Sequence, residues 1–183
     1  SAATLQEVSA SPRHLGAELG MLGVLHTWSR QRVYHPHVHY VVAGAGLTAD
    51  GWRWKRVASD KFFLPEKVLA RRFRNRLRRA LARDHPELYR PIPAAVWRAD
   101  WVVDSLAVGT GETALQYLSA YVYKTALSSA RILTDDERGV TFRFRRSDDG
   151  RWQTLTLAPA EFLRRLLQHV LPRGFQRVRS YGW

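Results

Sequence analysis

Hydrophobic and polar positions along the chain change period several times, and each change marks an expected element. Leu15, Leu19 and Leu22 recur at helical spacing behind Pro12, which predicts a helix from about Pro12 into Leu25 with the proline in its first turn. Val33 to Val42 reads as a strand in which Val38, Tyr40 and Val42 share one face and His37 and His39 the other. Gly44, Ala45 and Gly46 are read as its end, and Trp52 to Val57, where Trp52 and Trp54 alternate with charged residues, as a second hairpin arm.

Pro65, with Glu66 at the positive end of a helix dipole, opens a helix to about Arg83 whose apolar stripe is Leu69, Phe73, Leu77, Ala80 and Leu81. Pro86, Pro91 and Pro93 mark a loop. Trp97 to Val108 reads as a strand centred on Trp101, Val102 and Val103, and Gly109, Thr110 and Gly111 turn it into a helix from about Glu112 to Ser128. Val140 to Phe144 and Trp152 to Leu157 flank Asp148, Asp149 and Gly150, a hairpin signal. Pro159 and Glu161 then start an amphipathic helix with Phe162, Leu163, Leu166, Leu167, Val170 and Leu171 inward, closed by Pro172 and Gly174. Phe175 to Trp183 alternates weakly. There is no internal repeat or low-complexity segment.

Charge changes the picture next. In 183 residues, 29 Lys and Arg face 16 Asp and Glu, a formal net charge of +13 spread along the whole chain. Such an excess selects a polyanionic partner, with nucleic acid preferred over an anionic membrane surface. Arg71, Arg72, Arg74, Arg76, Arg78, Arg79 and Arg83 cover one helix around its apolar stripe, and repel one another unless an anion lies along them. With no cysteine, neither a disulfide framework nor a cysteine-based zinc site is available. No apolar run reaches the length of about 18 residues that a membrane span needs. The expectation is a soluble protein of the cytoplasm, associated with the nucleoid.

Two motifs carry candidate chemistry. His37 and His39, spaced i, i+2 on a strand, lie roughly 6–7 Å apart at Cα, close enough for both imidazoles to converge on one divalent ion. A further ligand must come from elsewhere, and His26, Gln116, Glu112 and Asp104 all remain candidates. On the helix after Gly111, Tyr117 and Tyr121 are i, i+4 neighbours on a stripe with Thr113, Lys124 and Ser128, beside an apolar arc of Ala114, Leu115, Leu118, Val122 and Ala126; Tyr123 falls on another side. Lys124 can steady a phosphate or lower a neighbouring phenol's pKa. A metal site and paired phenols together suit a phosphodiester cut in which tyrosine oxygen attacks phosphorus and the bond energy is kept as a phosphotyrosine ester.

The sequence resembles the transposases of the insertion-sequence-91 family, two-tyrosine members of the HUH endonuclease superfamily that move DNA by rolling-circle transposition. The resemblance is carried by Leu25-His26-Thr27-Trp28, by His35-Pro36-His37-Val38-His39 with Gly44-Ala45-Gly46-Leu47, and by Phe62-Phe63-Leu64-Pro65. It continues through Tyr117-Leu118-Ser119-Ala120-Tyr121 to Ser128-Ser129-Ala130-Arg131, then Phe162 to Phe175 and Arg177 to Gly182. It implies an α+β fold, a central antiparallel sheet carrying the His-x-His strand with helices on its faces. It also implies His37 and His39 as metal ligands, Tyr117 and Tyr121 as nucleophiles, Mg²⁺ or Mn²⁺ as cofactor and single-stranded DNA as substrate.

Members of that family usually begin with a cysteine-rich zinc-binding region and a further strand. Residues 1–183 are therefore expected to form one HUH-type catalytic domain lacking both. The competing readings are a plasmid-type replication initiator or relaxase, which uses the same chemistry, and a catalytically inactive DNA-binding remnant.

Overall fold

The computed structural model describes residues 1–28, 34–59, 63–109, 111–122, 128–146 and 149–183. In chain order these form α1 (Ala2–Ala10), β1 (Glu18–Trp28), β2 (Tyr34–Leu47), β3 (Trp54–Arg56), α2 (Glu66–Asp84), α3 (Pro86–Tyr89), α4 (Ala94–Arg98) and α5 (Gly111–Val122). After a short 3₁₀ turn follow β4 (Ile132–Asp136), β5 (Gly139–Arg145), β6 (Trp152–Leu157), α6 (Pro159–Leu167) and β7 (Val178–Tyr181). The fold is α+β. A four-stranded antiparallel sheet has the order β3-β2-β1-β7, so the histidine strand β2 is an inner strand, and a second sheet has the order β4-β5-β6. The chain divides into two compact units, one of Ser1–Gly23, Tyr40–Ala114 and Ser180–Trp183, the other of Val24–His39 and Leu115–Arg179.

In the first unit the core is Val8, Leu15, Ala17, Leu19, Met21, Leu64 and Leu69, with Tyr40, Val42, Val57 and Tyr181 packed against it. The expected helix over Pro12 to Leu25 is not formed; most of that stretch is β1. Leu15 and Leu19 fit a helical period, but Leu15, Ala17, Leu19 and Met21 are all buried and fit a period of two. Gly16, Gly20 and Gly23 decide between them, since each costs a helix interior about 1 kcal/mol relative to alanine. The helix lies earlier, as α1, and the Gln6 side chain ties it to the strand: its amide donates to the Leu19 carbonyl at 2.7 Å and accepts from the Leu19 N–H at 2.9 Å.

Nor do Gly44 and Gly46 end the histidine strand, which runs on to pair Ala45 with Arg56, Gly46 with Lys55 and Leu47 with Trp54. A Cβ on Gly46 would lie 2.6 Å from the Glu18 carbonyl, so this glycine allows close approach of backbone rather than a turn. The hairpin arm β3 and the arginine helix α2 form as expected. Two further expectations are corrected. The proline-rich stretch holds the short helices α3 and α4, each started next to a proline, and Trp97 to Val108 forms no strand. Trp97 and Trp101 stack at 5.8 Å with Trp101 edge-on to Phe73, and that packing overrides the β-propensity of the segment.

In the second unit β5 pairs with β6 from Val140–Leu157 to Arg145–Trp152, the hairpin expected around Gly150; Asp148 lies outside the described residues. Val140, Phe142 and Phe144 are buried, and Phe142 meets Phe162 of α6 at 6.0 Å between ring centroids. β4 carries no signal in the sequence, because its five residues are all exposed and show no alternation. The guanidinium groups of Arg131, Arg143 and Arg145 lie over Trp152 at 5.2–5.7 Å.

Candidate metal centre

β1 and β2 are neighbours in the sheet, so a residue late in β1 can face the histidines early in β2. His26 does so. Its imidazole is buried, those of His37 and His39 are half-buried, and one ring nitrogen of each lies within 4.8 Å of the other two. The rings stand edge-on to one another, with centroids 5.5 Å apart for His26 and His37, 4.9 Å for His26 and His39, and 4.8 Å for His37 and His39. Both expected ligands are therefore brought together, on the same face as their spacing required. Among the described His, Asp and Glu residues, the group comprises these three. His26 is one of the four candidates that the sequence leaves open; its signal there is modest, a lone histidine in an apolar strand.

The protonation pattern of one ligand follows from its partner. His37 Nδ1 lies 2.8 Å from the His35 carbonyl oxygen, which can only accept, so Nδ1 donates and Nε2 is the ring nitrogen left for a metal. That is the second interaction a metal-binding imidazole normally makes. Behind the site His169 is buried, with Nδ1 3.3 Å from the Thr27 hydroxyl and its ring stacked against Tyr34 at 6.4 Å. It thereby braces the residue after His26 and the first residue of β2. Three imidazoles with no carboxylate among them fit a divalent ion, and as nitrogen donors they suit a transition ion such as Mn²⁺ better than Mg²⁺.

Tyr117 and Tyr121 lie one turn apart on the backbone of α5, the helix expected from Glu112 onwards. Ala114 and Leu118 bury the apolar side of that helix, whereas Leu115, expected inward, is 60% exposed. Tyr123 and Lys124 lie outside the described residues.

On α2 the arginines are less uniform than the sequence suggests. Glu7 of α1 pairs with Arg72 at 3.0 Å and also with Arg76, Arg83 pairs with Asp84 at 2.6 Å, and Arg74 donates to the Ala99 carbonyl at 2.6 Å. Among the described residues Arg71, Arg78 and Arg79 make no ion pair with a carboxylate. The acid expected for a balanced face comes from another helix, which a reading along one helix misses. No described helix is long and apolar enough to cross a membrane.

A family model described as "Putative transposase" (Y2_Tnp) matches residues 20–183. The chain is 37% identical to "Putative transposase y4qJ" of Sinorhizobium fredii (strain NBRC 101917 / NGR234), over all of this chain and 50% of that protein. It is 31% identical to "Transposase for insertion sequence element IS801" of Pseudomonas savastanoi pv. phaseolicola, over 92% of this chain and 44% of that protein. The chain thus spans about half the length of these curated relatives. No solved structure matches it. A family match over nearly the whole chain, and over both histidine strands, places this protein in that transposase family.

Proposed function

We propose that this chain is the catalytic portion of a two-tyrosine HUH transposase of the insertion-sequence-91 type, which nicks and rejoins single-stranded DNA in rolling-circle transposition. The observation that carries the reading is the convergence of His26, His37 and His39 within 4.8 Å. The three imidazoles would hold Mg²⁺ or Mn²⁺, and as nitrogen donors would favour Mn²⁺. Such an ion, when bound, polarises the scissile phosphodiester and offsets charge on its oxygens.

The chain's own residues do the rest. The phenol oxygen of Tyr117 or Tyr121 attacks phosphorus; the tyrosine O–P bond forms, the P–O3′ bond breaks, and the proton lost by the phenol is matched by one gained at the 3′-oxygen. The 5′-phosphotyrosine conserves the bond, so a 3′-hydroxyl can reverse the step. Two tyrosines a turn apart allow two strands to be held. Arg71, Arg72, Arg74, Arg76, Arg78, Arg79, Arg83 and Lys124 supply phosphate contacts, those of Arg72 and Arg76 in competition with Glu7. The transposase relatives do not favour a replication initiator or relaxase.

The test is covalent capture of 3′-labelled single-stranded oligonucleotides in Mn²⁺, read as label that migrates with denatured protein. Tyr117→Phe or Tyr121→Phe alone should leave some adduct, the double variant none, and EDTA none. Adduct that survives the double substitution, or that requires Tyr123, overturns the reading.

A further inference from the structure

Within the first unit, a cavity of about 320 Å³ opens between α2 and the short helices α3 and α4, the latter in a stretch whose prolines read in the sequence as a loop. Its wall combines aromatic rings with guanidinium groups: Tyr89 and Trp97 on one hand, Arg78, Arg90 and Arg98 on the other. The rings are braced. Tyr89 and Trp97 sit 5.8 Å apart at a 33° tilt, Trp97 stacks on Trp101 at 5.8 Å, and Trp101 meets Phe73 edge-on at 5.6 Å. Arg78 Nε donates to the Tyr89 hydroxyl at 3.1 Å, which holds that guanidinium against the rings.

Two observations point to a ligand. Among the described residues, none of Arg78, Arg90 and Arg98 pairs with a carboxylate, whereas Arg72 and Arg76 on the same helix as Arg78 are offset by Glu7. Tyr89 and Trp97 line the same cavity, held by their own contacts, and give it an aromatic wall beside those guanidinium groups. Like charges gathered on one wall repel one another unless an anion lies among them, and aromatic faces accept a flat ring. A ligand with both an anionic oxygen group and a flat ring answers both. The volume falls within the range of about 300–1,000 Å³ usual for small-molecule sites, room for one nucleotide and too little for a duplex.

We propose that this cavity binds a single unstacked nucleotide of a DNA strand, with its phosphate among Arg78, Arg90 and Arg98 and its base against Trp97 and Tyr89. Base stacking on aromatic side chains beside a basic groove is the usual means of holding single strands. The DNA source rests on the function proposed above; the nucleotide chemistry of the cavity does not.

The full chain is titrated in EDTA, which removes the histidine centre from the result, with deoxyadenosine 5′-monophosphate, inorganic phosphate and a twelve-residue oligodeoxyadenylate. The nucleotide should bind at least tenfold more tightly than phosphate. The double variant Arg90→Gln, Arg98→Gln should lose at least tenfold in nucleotide affinity and at least fivefold for the oligonucleotide. Trp97→Leu should weaken nucleotide and spare phosphate. A control of equal charge, Arg138→Gln with Arg151→Gln, should leave nucleotide binding unchanged. Equal binding of nucleotide and phosphate, or an unaffected Arg90, Arg98 variant, overturns the site; those two residues are exposed, so their substitution does not threaten folding even if Trp97→Leu does. If nucleotide binds as stated but the oligonucleotide loses no more in the variant than in the control, the site takes free nucleotide and the DNA assignment is overturned.

Discussion

Single residues here act through small differences in placement. His26 illustrates this: it stands between Leu25 and Thr27 as the lone histidine of its strand, and only the pairing of β1 with β2 makes its imidazole a partner for His37 and His39. Each of the three should be needed for metal affinity. Calorimetry with Mn²⁺ should show at least a tenfold loss for His26→Ala, His37→Ala or His39→Ala, on the order of the effect seen when a metal site loses even an outer partner. Wild-type affinity in the His26 variant would remove it from the centre. Gly139 is another residue whose identity its placement dictates. It has φ +134° at the turn into β5, and a Cβ there would clash with the Leu157 carbonyl of β6. Gly139→Ala should therefore destabilise by about 1–3 kcal/mol, read as a lower urea midpoint.

Elements are held by pairs whose partners are near in sequence and by contacts whose partners are not. On α6, Glu161 accepts from Arg164 at 2.6 Å and Arg165 at 2.7 Å, one turn ahead, and these hydrogen bonds pull its carboxyl down from 4.5 to about 2. A depressed carboxylate contributes stability that is fully present above its ordinary pKa and is lost as pH falls through the shifted one. The acid arm between pH 4.5 and about 2 should accordingly be shallower in Glu161→Gln than in the wild type, by a small amount since the site is exposed. Far-ultraviolet circular dichroism across that range checks it. Identical acid profiles would show that the pair adds nothing to α6.

At the scale of the whole molecule, charge is the governing quantity. Under the proposed function, a net charge of +13 makes affinity for single-stranded DNA strongly salt-dependent, with each phosphate contact adding about 0.7 to the slope of log K against log salt. Arg71 and Arg79, which make no ion pair among the described residues, should each count in full. Their double substitution by Gln should reduce the slope by about 1.4. Arg72 and Arg76 are held by Glu7, so Glu7→Gln should steepen it and raise affinity at low salt. Anisotropy of a labelled single strand across a salt series measures both. A slope unchanged by either substitution would place the DNA on another surface.

Local patterns are written in consecutive residues, so the histidine strand, the arginine helix α2, the β5–β6 hairpin and the start of α6 follow from period, proline position and turn chemistry alone, although α6 ends at Leu167 and Leu163, Leu167 and Val170, read as inward, are exposed. The shared face of His37 and His39 follows from the pleat. What depends on distant partners is not legible in the sequence. Leu15 and Leu19 satisfy two periods at once, and pairing within a sheet, together with the glycines, chooses the strand. Trp97 and Trp101 look like strand residues until their stacking is seen. His26 comes to lie with His37 and His39, and Glu7 becomes a counter-charge for two arginines, because residues 11 and 65 or more positions away in the chain come to lie beside them. Spacing along one element sets which side chains share a face; which faces meet is set by burial, and burial is a property of the folded chain.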